Sequence, residues 1–224
     1  MPSSVSPRRA KVPDKRRAAD IAYDRIESLI SRLEIAPGTP VVEADLADMT
    51  GLGRTPVREA LMRMVAIGLV VQQPRRGIVV SNVDVVDHLD VIETRRVLER
   101  LIAAGSARRA TPDQRKALVA AAQKMLKAAD RGNLDGYMLA DQELDHVNHA
   151  ACCNRSAVGA VLPLVVQCRR FWYAYQHEGD IAEGARAHLA MAEAIASSDT
   201  AAAGAGADQL MDYLERFARR VIDS

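Results

Sequence analysis

Two arginines spaced four residues apart are the side chains of this sequence best suited to a specific chemistry. Arg54 and Arg58 would share one face of a helix, because positions four apart lie one above the other. Arginine donates bidentately to O6 and N7 of guanine in the major groove, and helices that read DNA use their N-terminal residues for base contacts. The spacing therefore predicts contacts to duplex DNA. For either arginine taken alone, a solvated helix face is the alternative.

The residues around these arginines predict how the helix is placed. Gly51 and Gly53 flank Leu52 in a tight turn. Thr55 is expected to cap the following helix, and Pro56 suits its first turn, where a missing N–H costs little. On a different face, apolar residues recur at the spacing of a buried surface: Val57, Leu61 and Met64. The helix is therefore expected to begin close to Thr55 and to turn its arginines away from the core.

A basic hairpin follows this helix. Residues 70–72 and 78–80 are rich in β-branched side chains and are typical of two short strands. Between them, Pro74, Arg75, Arg76 and Gly77 predict a turn with two cations at its tip. A turn, a helix and a basic hairpin in this order predict a winged helix-turn-helix.

This segment resembles the DNA-binding signature of GntR-type bacterial transcription regulators. The resemblance rests on the run Arg54 to Leu61, on Gly68-Leu69-Val70 and on the hairpin tip, and upstream on Pro37-Gly38, Glu43 and Leu46-Ala47. It covers most of residues 18–81.

The resemblance implies a role for each matching residue. Arg54 and Arg58 would contact bases, and Thr55 would contact phosphate or help to place the helix. From the wing, Arg76 and Gly77 would reach into the minor groove, and we expect Arg75 to contact phosphate. Family members often carry Ser or Thr before the first arginine. This chain has Gly53 there, so one phosphate contact is expected to be absent.

Charge and composition agree with a DNA-binding first half. The net charge of +1 hides an asymmetry: residues 1–84 carry 13 Lys and Arg against 10 Asp and Glu, and residues 85–224 carry 17 against 19. Residues 1–17 predict a disordered basic arm, either a DNA-tracking tail or a frayed terminus, and neither a signal peptide nor a membrane span. The three cysteines are odd in number and lack metal-ligand spacing. Reduced thiols in a cytoplasmic protein, with no membrane partner, are therefore expected.

Periodicity predicts a mainly α-helical chain of two domains. An apolar stripe predicts a helix over 18–34, and residues 43–49 a short second helix, so the winged domain spans 18–81. Residues 82–84 are expected to be a linker. Residues 85–224 predict an all-α bundle of six or seven helices with no strand.

The second half resembles the FCD effector domain of the FadR-like branch of the same family. The resemblance rests on Arg95 to Glu99, Asp141 to Asn154 and His188 to Asp199. In many FCD domains an Asp, a His one turn later and two further His bind a divalent metal, which can hold a carboxylate ligand.

The matching positions here are only partly of those types. Asp141 and Asp145 fall at the first two, so an aspartate replaces a histidine, and His188 keeps its place. The last histidine should fall near Gln209 or Leu210, and neither is a histidine. The resemblance thus implies an ion of the zinc, nickel or manganese class at Asp141, Asp145 and His188. The alternative is a polar pocket without metal.

Two further features of this half leave alternatives open. Arg95 could bind an effector carboxylate without any ion, or could form a salt bridge with Glu99. Half of the aromatic side chains lie within 171–175, where they could line a cavity or serve packing or dimer contact. His146 and His149 are offset around their helix from Asp145 and are expected to point elsewhere.

The sequence favours a ligand-responsive DNA-binding regulator, a repressor whose effector is a small organic acid bound at Arg95, Asp141, Asp145 and His188. Its expected partners are double-stranded DNA carrying an inverted-repeat operator and a second copy of the chain. The alternative is a metal-dependent enzyme acting on small carboxylic acids, with the first domain as a targeting module. No Ser/His/Asp or Cys/His arrangement can be placed from the sequence, so we expect no enzyme.

Overall fold

The computed structural model describes residues 17–176 and 180–224. The basic arm expected over residues 1–17 lies outside this part of the chain except for Arg17. Within the described residues there are nine helices and a two-stranded antiparallel sheet. In chain order they are α1 (Ala18–Ser31), α2 (Glu43–Thr50), α3 (Arg54–Ala66), β1 (Val70–Gln73), β2 (Gly77–Val80), α4 (Val85–Arg109), α5 (Pro112–Ala129), α6 (Leu134–Cys152), α7 (Arg155–Tyr175), α8 (Ile181–Ala196) and α9 (Thr200–Asp223). The mainly α fold with a small hairpin wing and a six-helix second half is confirmed.

The first three helices and the hairpin form one apolar core. Ile26 and Ile30 of α1 pack with Leu46 of α2 and Leu61 of α3, and all four are almost fully buried. The hairpin pairs Val70 with Val80 and closes over this core. Because the apolar stripe of α3 faces inward, its other faces remain exposed.

The start of α3 differs from the sequence-based expectation for Thr55. Gly53 is the N-cap residue, with φ −70° and ψ 162°, and no side chain caps the helix. Gly51 ends α2 with φ 65°, a left-handed conformation that favours glycine. Gly51 ends α2 and Gly53 is the N-cap residue of the next helix, with only Leu52 between them. Helix α3 therefore begins at Arg54, and Thr55 is its second residue. Thr55 as a cap is therefore wrong.

The six helices α4 to α9 pack around a second core. Helix α4 contacts α6, α7, α8 and α9. Helices α8 and α9 approach so closely that a Cβ on Gly206 would lie 2.9 Å from the Cα of Met191. The side chain of the residue before each of these helices caps it: Asp84, Thr111, Asn133, Asn154, Asp180 and Asp199. These caps explain why the bundle breaks where it does.

Polar contacts and one apolar contact join the two halves. Arg170 of α7 donates to the hydroxyl (2.9 Å) and the carbonyl (2.5 Å) of Ser81, which follows β2. Arg32 after α1 pairs with Asp135 of α6 at 3.1 Å. Val166 of α7 packs in the first core. Helix α7 is therefore in contact with both halves of the chain.

None of the helices in the described residues is long and apolar enough to cross a membrane.

His88, in the first turns of α4, is buried against Phe171 of α7. The two rings stack with centroids 3.8 Å apart and an interplanar angle of 5°. Burial, with a smaller contribution from Arg95, lowers the pKa of His88 to about 3. Asp84, Asp87 and Arg170 line the same small cavity as His88. The imidazole is therefore neutral in the folded chain at neutral pH.

We expect this histidine to make folding pH-dependent. The unfolded chain binds a proton at His88 below its ordinary pKa of about 6.5, and the folded chain does not until about 3, so stability is lost as pH falls through this window. At pH 5 the loss is about 2 kcal/mol. Urea unfolding at about pH 7 and pH 5 measures it, with His88→Phe as the control that keeps an aromatic ring. An equal pH dependence in both proteins would contradict the assignment.

Candidate DNA-binding surface and effector cavity

Arg54 and Arg58 lie on the exposed N-terminal turns of α3. The guanidinium of Arg58 donates from Nε and Nη2 to the two carboxylate oxygens of Glu43, each at 2.8 Å. The side chains of Arg58 and Glu43 are 67% and 31% exposed. The hydrogen bond to Arg58 lowers the pKa of Glu43. A solvent-exposed pair of this kind contributes little to stability, so it can orient Arg58 and still yield to a stronger partner.

The wing presents its two arginines differently. Arg75 is exposed and has φ 65°, the left-handed conformation, at the tip of the turn after Pro74. Arg76 donates to the side chain of Gln73 (3.3 Å) and to the carbonyl of Gly38 (3.2 Å). Gly77 follows with φ 75°, which glycine adopts without strain. Arg75 is therefore exposed at the tip, whereas Arg76 is held by Gln73 and Gly38.

Inside the bundle, the structure brings Asp141, Asp145 and His188 together and adds Arg169. Arg169 of α7 donates from Nε to Asp141 at 2.9 Å and from Nη2 to Asp145 at 2.7 Å. His188 of α8 lies with Nε2 3.3 Å from the other oxygen of Asp141 and Nδ1 2.8 Å from the carbonyl of Gly184. All four side chains are about nine-tenths buried.

These residues do not fit the divalent metal expected from the resemblance. A guanidinium already bridges the two carboxylates, and of the two positions expected for the last histidine, Gln209 and Leu210, it is Leu210 that lines the same cavity. Within the described ranges, no group of three or more His, Cys, Asp or Glu side chains is placed to hold a metal ion. The geometry is that of a polar network neutralised by arginine.

The charges in this network depend on one another. Burial by itself raises the pKa of Asp141, but Arg169 and the hydrogen bond from His188 outweigh it and hold that pKa below its usual value. Burial and the neighbouring charge of Asp141 raise the pKa of Asp145. Burial opposes a charged His188, yet Asp141 and the carbonyl of Gly184 together raise its pKa. With an acceptor at each ring nitrogen, His188 is set up to carry a proton on both.

Arg95 forms the salt bridge that the sequence left as one of its two alternatives. Its Nε and Nη2 lie 2.9 and 2.8 Å from Oε1 of Glu99, and both side chains are almost fully buried. Burial opposes the charge on Arg95, but Glu99 and other nearby acidic groups raise its pKa above the ordinary value. Arg95 nevertheless lines the same cavity as His188.

The cavity between these groups has a volume of about 30 Å³. Polar and aromatic side chains share its wall with apolar ones: Arg95, Tyr137, Met138, Asp141, Val165, Cys168, Arg169, Trp172, His188, Leu210, Tyr213 and Leu214. A volume of this size accommodates a water molecule but not an organic acid. His146 and His149 do not line this cavity but line another of about 570 Å³ near Cys153. They also line a cleft of about 290 Å³ together with Asp145 and Arg169, so they do not point away from Asp145 as expected.

The aromatic cluster divides between the cavity and the core. Trp172 lines the cavity and stacks on Phe217 of α9, with ring centroids 4.4 Å apart. Phe171 faces the core and is fully buried. The hydroxyl of Tyr173 lies 3.4 Å from Asp135, the residue that also pairs with Arg32.

Sequence reasoning missed Arg169 and the role of Glu43. A signal for Arg169 was present, since α7 carries arginines in an apolar helix that has no acidic residue of its own. A buried arginine in such a helix must find its polar partners on other elements, as Arg169 does with two carboxylates and Arg170 with Ser81. Glu43 was noted as part of the family motif, but no local pattern predicts that it contacts Arg58.

Comparison with known proteins places this arrangement in a family. Residues 18–80 match the gntR family of bacterial regulatory proteins, and residues 90–213 match the FCD domain. The chain belongs to the GntR family and carries an FCD domain. A helix-turn-helix transcriptional regulator of Agrobacterium vitis is 30% identical over 134 residues, which cover 58% of this chain and 78% of that one.

Two Escherichia coli relatives match this GntR-family chain over shorter stretches. The transcriptional regulator McbR is 27% identical over 101 residues, and the transcriptional repressor RspR is 29% identical over 107 residues. The matches span 46% and 47% of those two proteins, about half their length.

Solved structures share the fold. The structure of E. coli McbR/YncC superposes with a TM-score of 0.77 at 17% identity, covering 92% of this chain and 98% of that one. A GntR regulator from Rhodococcus sp. RHA1 gives 0.64 at 20% identity, over 92% and 98%. A GntR helix-turn-helix joined to an FCD domain makes this chain a ligand-responsive DNA-binding transcription regulator.

Proposed function

We propose that this GntR-family chain is a repressor that binds an inverted-repeat operator as a homodimer and is released by a small organic acid bound in its helical half. The observation that carries the proposal is that one helix, α7, contacts both the interior cavity and the DNA-binding half. Helix α7 contributes Arg169 to the cavity and Arg170 to the contact with Ser81 beside the wing. A change in the cavity can therefore reach the DNA-binding half through side chains in direct contact.

On the DNA side, each residue has a role that its position supports. Arg54 and Arg58 project from the start of α3 and would read bases in the major groove. Thr55 beside them would contact phosphate or help to place the helix, Arg75 at the wing tip would contact phosphate, and Arg76 with Gly77 would approach the minor groove. One short helix reads few bases, so we propose two copies on half-sites about one helical turn apart.

On the effector side, the cavity offers cationic groups beside apolar walls. Arg95, Asp141 and His188 line it, and Asp145 pairs with Arg169, which lines it as well. Small-molecule sites commonly combine a few polar groups with an apolar lining. Because the free volume is too small for an organic acid, binding requires side chains or helices to move. That movement would change how α7 holds the DNA-binding half.

The alternative, an enzyme acting on small carboxylic acids, has less support. It would need Asp141, Asp145 and His188 to hold a metal, yet Arg169 already bridges the two carboxylates. A turnover assay with small carboxylic acids, run beside a gel-shift assay, separates the two functions: consumption of an acid by the purified chain would favour the enzyme.

The DNA-binding role is tested by Arg58→Ala and Arg75→Ala. We expect Arg58→Ala to weaken binding to the specific site by about 1–3 kcal/mol, because base contacts carry the specificity. The difference in affinity between the specific site and random DNA should therefore become smaller. We expect Arg75→Ala to weaken binding to all sequences alike and to reduce the salt dependence, because phosphate contacts carry no sequence information.

Gel shifts on operator and random DNA at several salt concentrations measure both effects. Arg108→Ala, which removes an exposed arginine at the end of α4, serves as the control and should leave DNA binding unchanged. If Arg58→Ala lowered affinity equally on both DNAs, Arg58 would be a phosphate anchor and its base-reading role would be wrong.

A further inference from the structure

Arg169 separates two spaces in the molecule. On one side it lines the cavity that His188 and Trp172 also line. On the other it lines a cleft of about 290 Å³ between α1 and the helices α6 and α7, where Glu27 and Ser28 of α1 form part of the wall. Arg169 and its helix neighbour Val165 thus lie between the cavity and the junction of the two halves, and Arg169 is the charged one of the two.

The guanidinium of Arg169 is only partly engaged by its two carboxylates. Nε donates to Asp141 and Nη2 donates to Asp145, whereas Nη1 takes part in neither contact. The planar fork of arginine matches a carboxylate with two parallel hydrogen bonds. Arg169 can therefore keep Asp141 through Nε and offer Nη1 and Nη2 to a ligand in place of Asp145.

Arg95 is less able to make such an exchange. Its Nε and Nη2 both contact one oxygen of Glu99, and the two side chains are 6% and 2% exposed. Arg169 is 12% exposed and has the open cleft behind it. Of these two arginines, Arg169 has more space into which it can move when a ligand enters a cavity of only about 30 Å³.

We propose that Arg169 takes the place of a metal ion in this FCD domain and binds the carboxylate of the effector directly, giving up Asp145 as it does so. The inference rests on the proposed function, since it names the group that recognises the acid. The ligand class that fits is a small monocarboxylate with an apolar body, because one fork is available and Trp172, Leu210 and Leu214 also line the cavity.

The same exchange alters the surface that faces α1. Glu27 of α1 is close enough to add to the acidic groups that raise the pKa of Arg169. When the guanidinium gives up Asp145 for the ligand and shifts within the cleft, its electrostatic interaction with Glu27 changes, and this changes how α7 holds α1. Acid binding and DNA binding are then coupled, and the coupling acts equally in both directions.

The experiment uses the whole 224-residue chain after treatment with EDTA. Acetate, pyruvate, butyrate and benzoate are titrated against the fluorescence of Trp172, the only tryptophan, with the matching amides as uncharged controls. Release of operator DNA is followed in parallel. We expect at least one acid, and not its amide, to bind and to release DNA without added metal.

Two variants and one control assign the binding to Arg169. Arg169→Lys keeps the charge between the carboxylates and loses the fork, so we expect acid affinity to fall on the order of tenfold to a hundredfold, with DNA affinity unchanged. Arg169→Gln combined with Asp145→Asn avoids an unpaired buried charge and should lose the acid response altogether. Arg100→Gln removes an exposed arginine from α4 and should respond like wild type.

Each other outcome has a definite meaning. Wild-type acid affinity in Arg169→Lys and in the double variant would overturn the proposal, and weakening in Arg95→Lys alone would transfer the role to Arg95. Binding that returns only when zinc, nickel or manganese is added would overturn the metal-free site. If no acid binds wild type or releases DNA under any of these conditions, the organic-acid effector of the proposed function fails, while DNA binding itself is unaffected.

Discussion

Glu99→Ala should destabilise the folded chain by about 3–5 kcal/mol, because it leaves the guanidinium of Arg95 buried without its carboxylate. The two side chains meet at 2.8 Å, and both are almost fully excluded from solvent. The cost of removing one partner arises chiefly from the charge that remains, since it has lost both water and its counterion. Urea unfolding of the variant beside wild type measures the difference.

Two further variants separate this effect from a general loss of charge. Glu215→Ala removes an exposed carboxylate that pairs with Arg96 and Arg219 on the surface, and should cost no more than about 1 kcal/mol. Replacing both buried partners, Arg95→Met with Glu99→Leu, should restore most of the stability, because no unpaired charge remains. A Glu99→Ala variant as stable as Glu215→Ala would show that water reaches Arg95 in solution.

The pair also shows what spacing can and cannot predict. Four-residue spacing on a helix allowed the contact between Arg95 and Glu99 to be considered from sequence, because both residues are on one element. Burial of the pair depends on α6 and α7 packing over α4, which no local pattern specifies. The contact between Arg58 and Glu43 is likewise not specified by any local pattern, because the two residues lie on different helices.

Local signals predicted most of the fold. The glycines at 51 and 53, the β-branched runs of the hairpin and the apolar stripes each act over a few residues. The ends of α2 and of the two strands, and the start of α3, were therefore predicted to within one residue. Helix α1 ends at Ser31, earlier than predicted, because the chain turns at Leu33 with φ 61°. Thr55 failed as a cap since the two-glycine turn allowed the helix to start one residue after Gly53.

The interior site was only partly predictable. Asp141, Asp145 and His188 came from the family resemblance, and the structure does bring them together. Arg169 lies on a third helix and reaches both carboxylates from outside the motif, so no spacing rule connects them. Its presence changes the chemistry expected there, because a guanidinium recognises a carboxylate by a fork of hydrogen bonds and a metal ion does so by coordination.

Phe217→Ala should destabilise the chain by about 3–5 kcal/mol, the usual cost of emptying a large aromatic site in a core. Phe217 of α9 is fully buried. Its ring stacks on Trp172 at 4.4 Å and meets Phe171 edge-on at 5.4 Å. The substitution removes contacts to both neighbours, and the surrounding helices can close the space only in part. Thermal and urea unfolding followed by circular dichroism measure the loss.

The same variant tests whether a change in core packing at Phe217 reaches the wall of the cavity. Trp172 packs on Phe217 and also lines the cavity, so Phe217→Ala should alter the fluorescence of Trp172 as well as stability. Phe217→Leu, which keeps most of the apolar volume, should recover much of the stability and serves as the matched control. If Phe217→Ala unfolded like wild type, the α7 to α9 contact would not be part of the cooperative core. The transmission of cavity changes through α7 would then need another route.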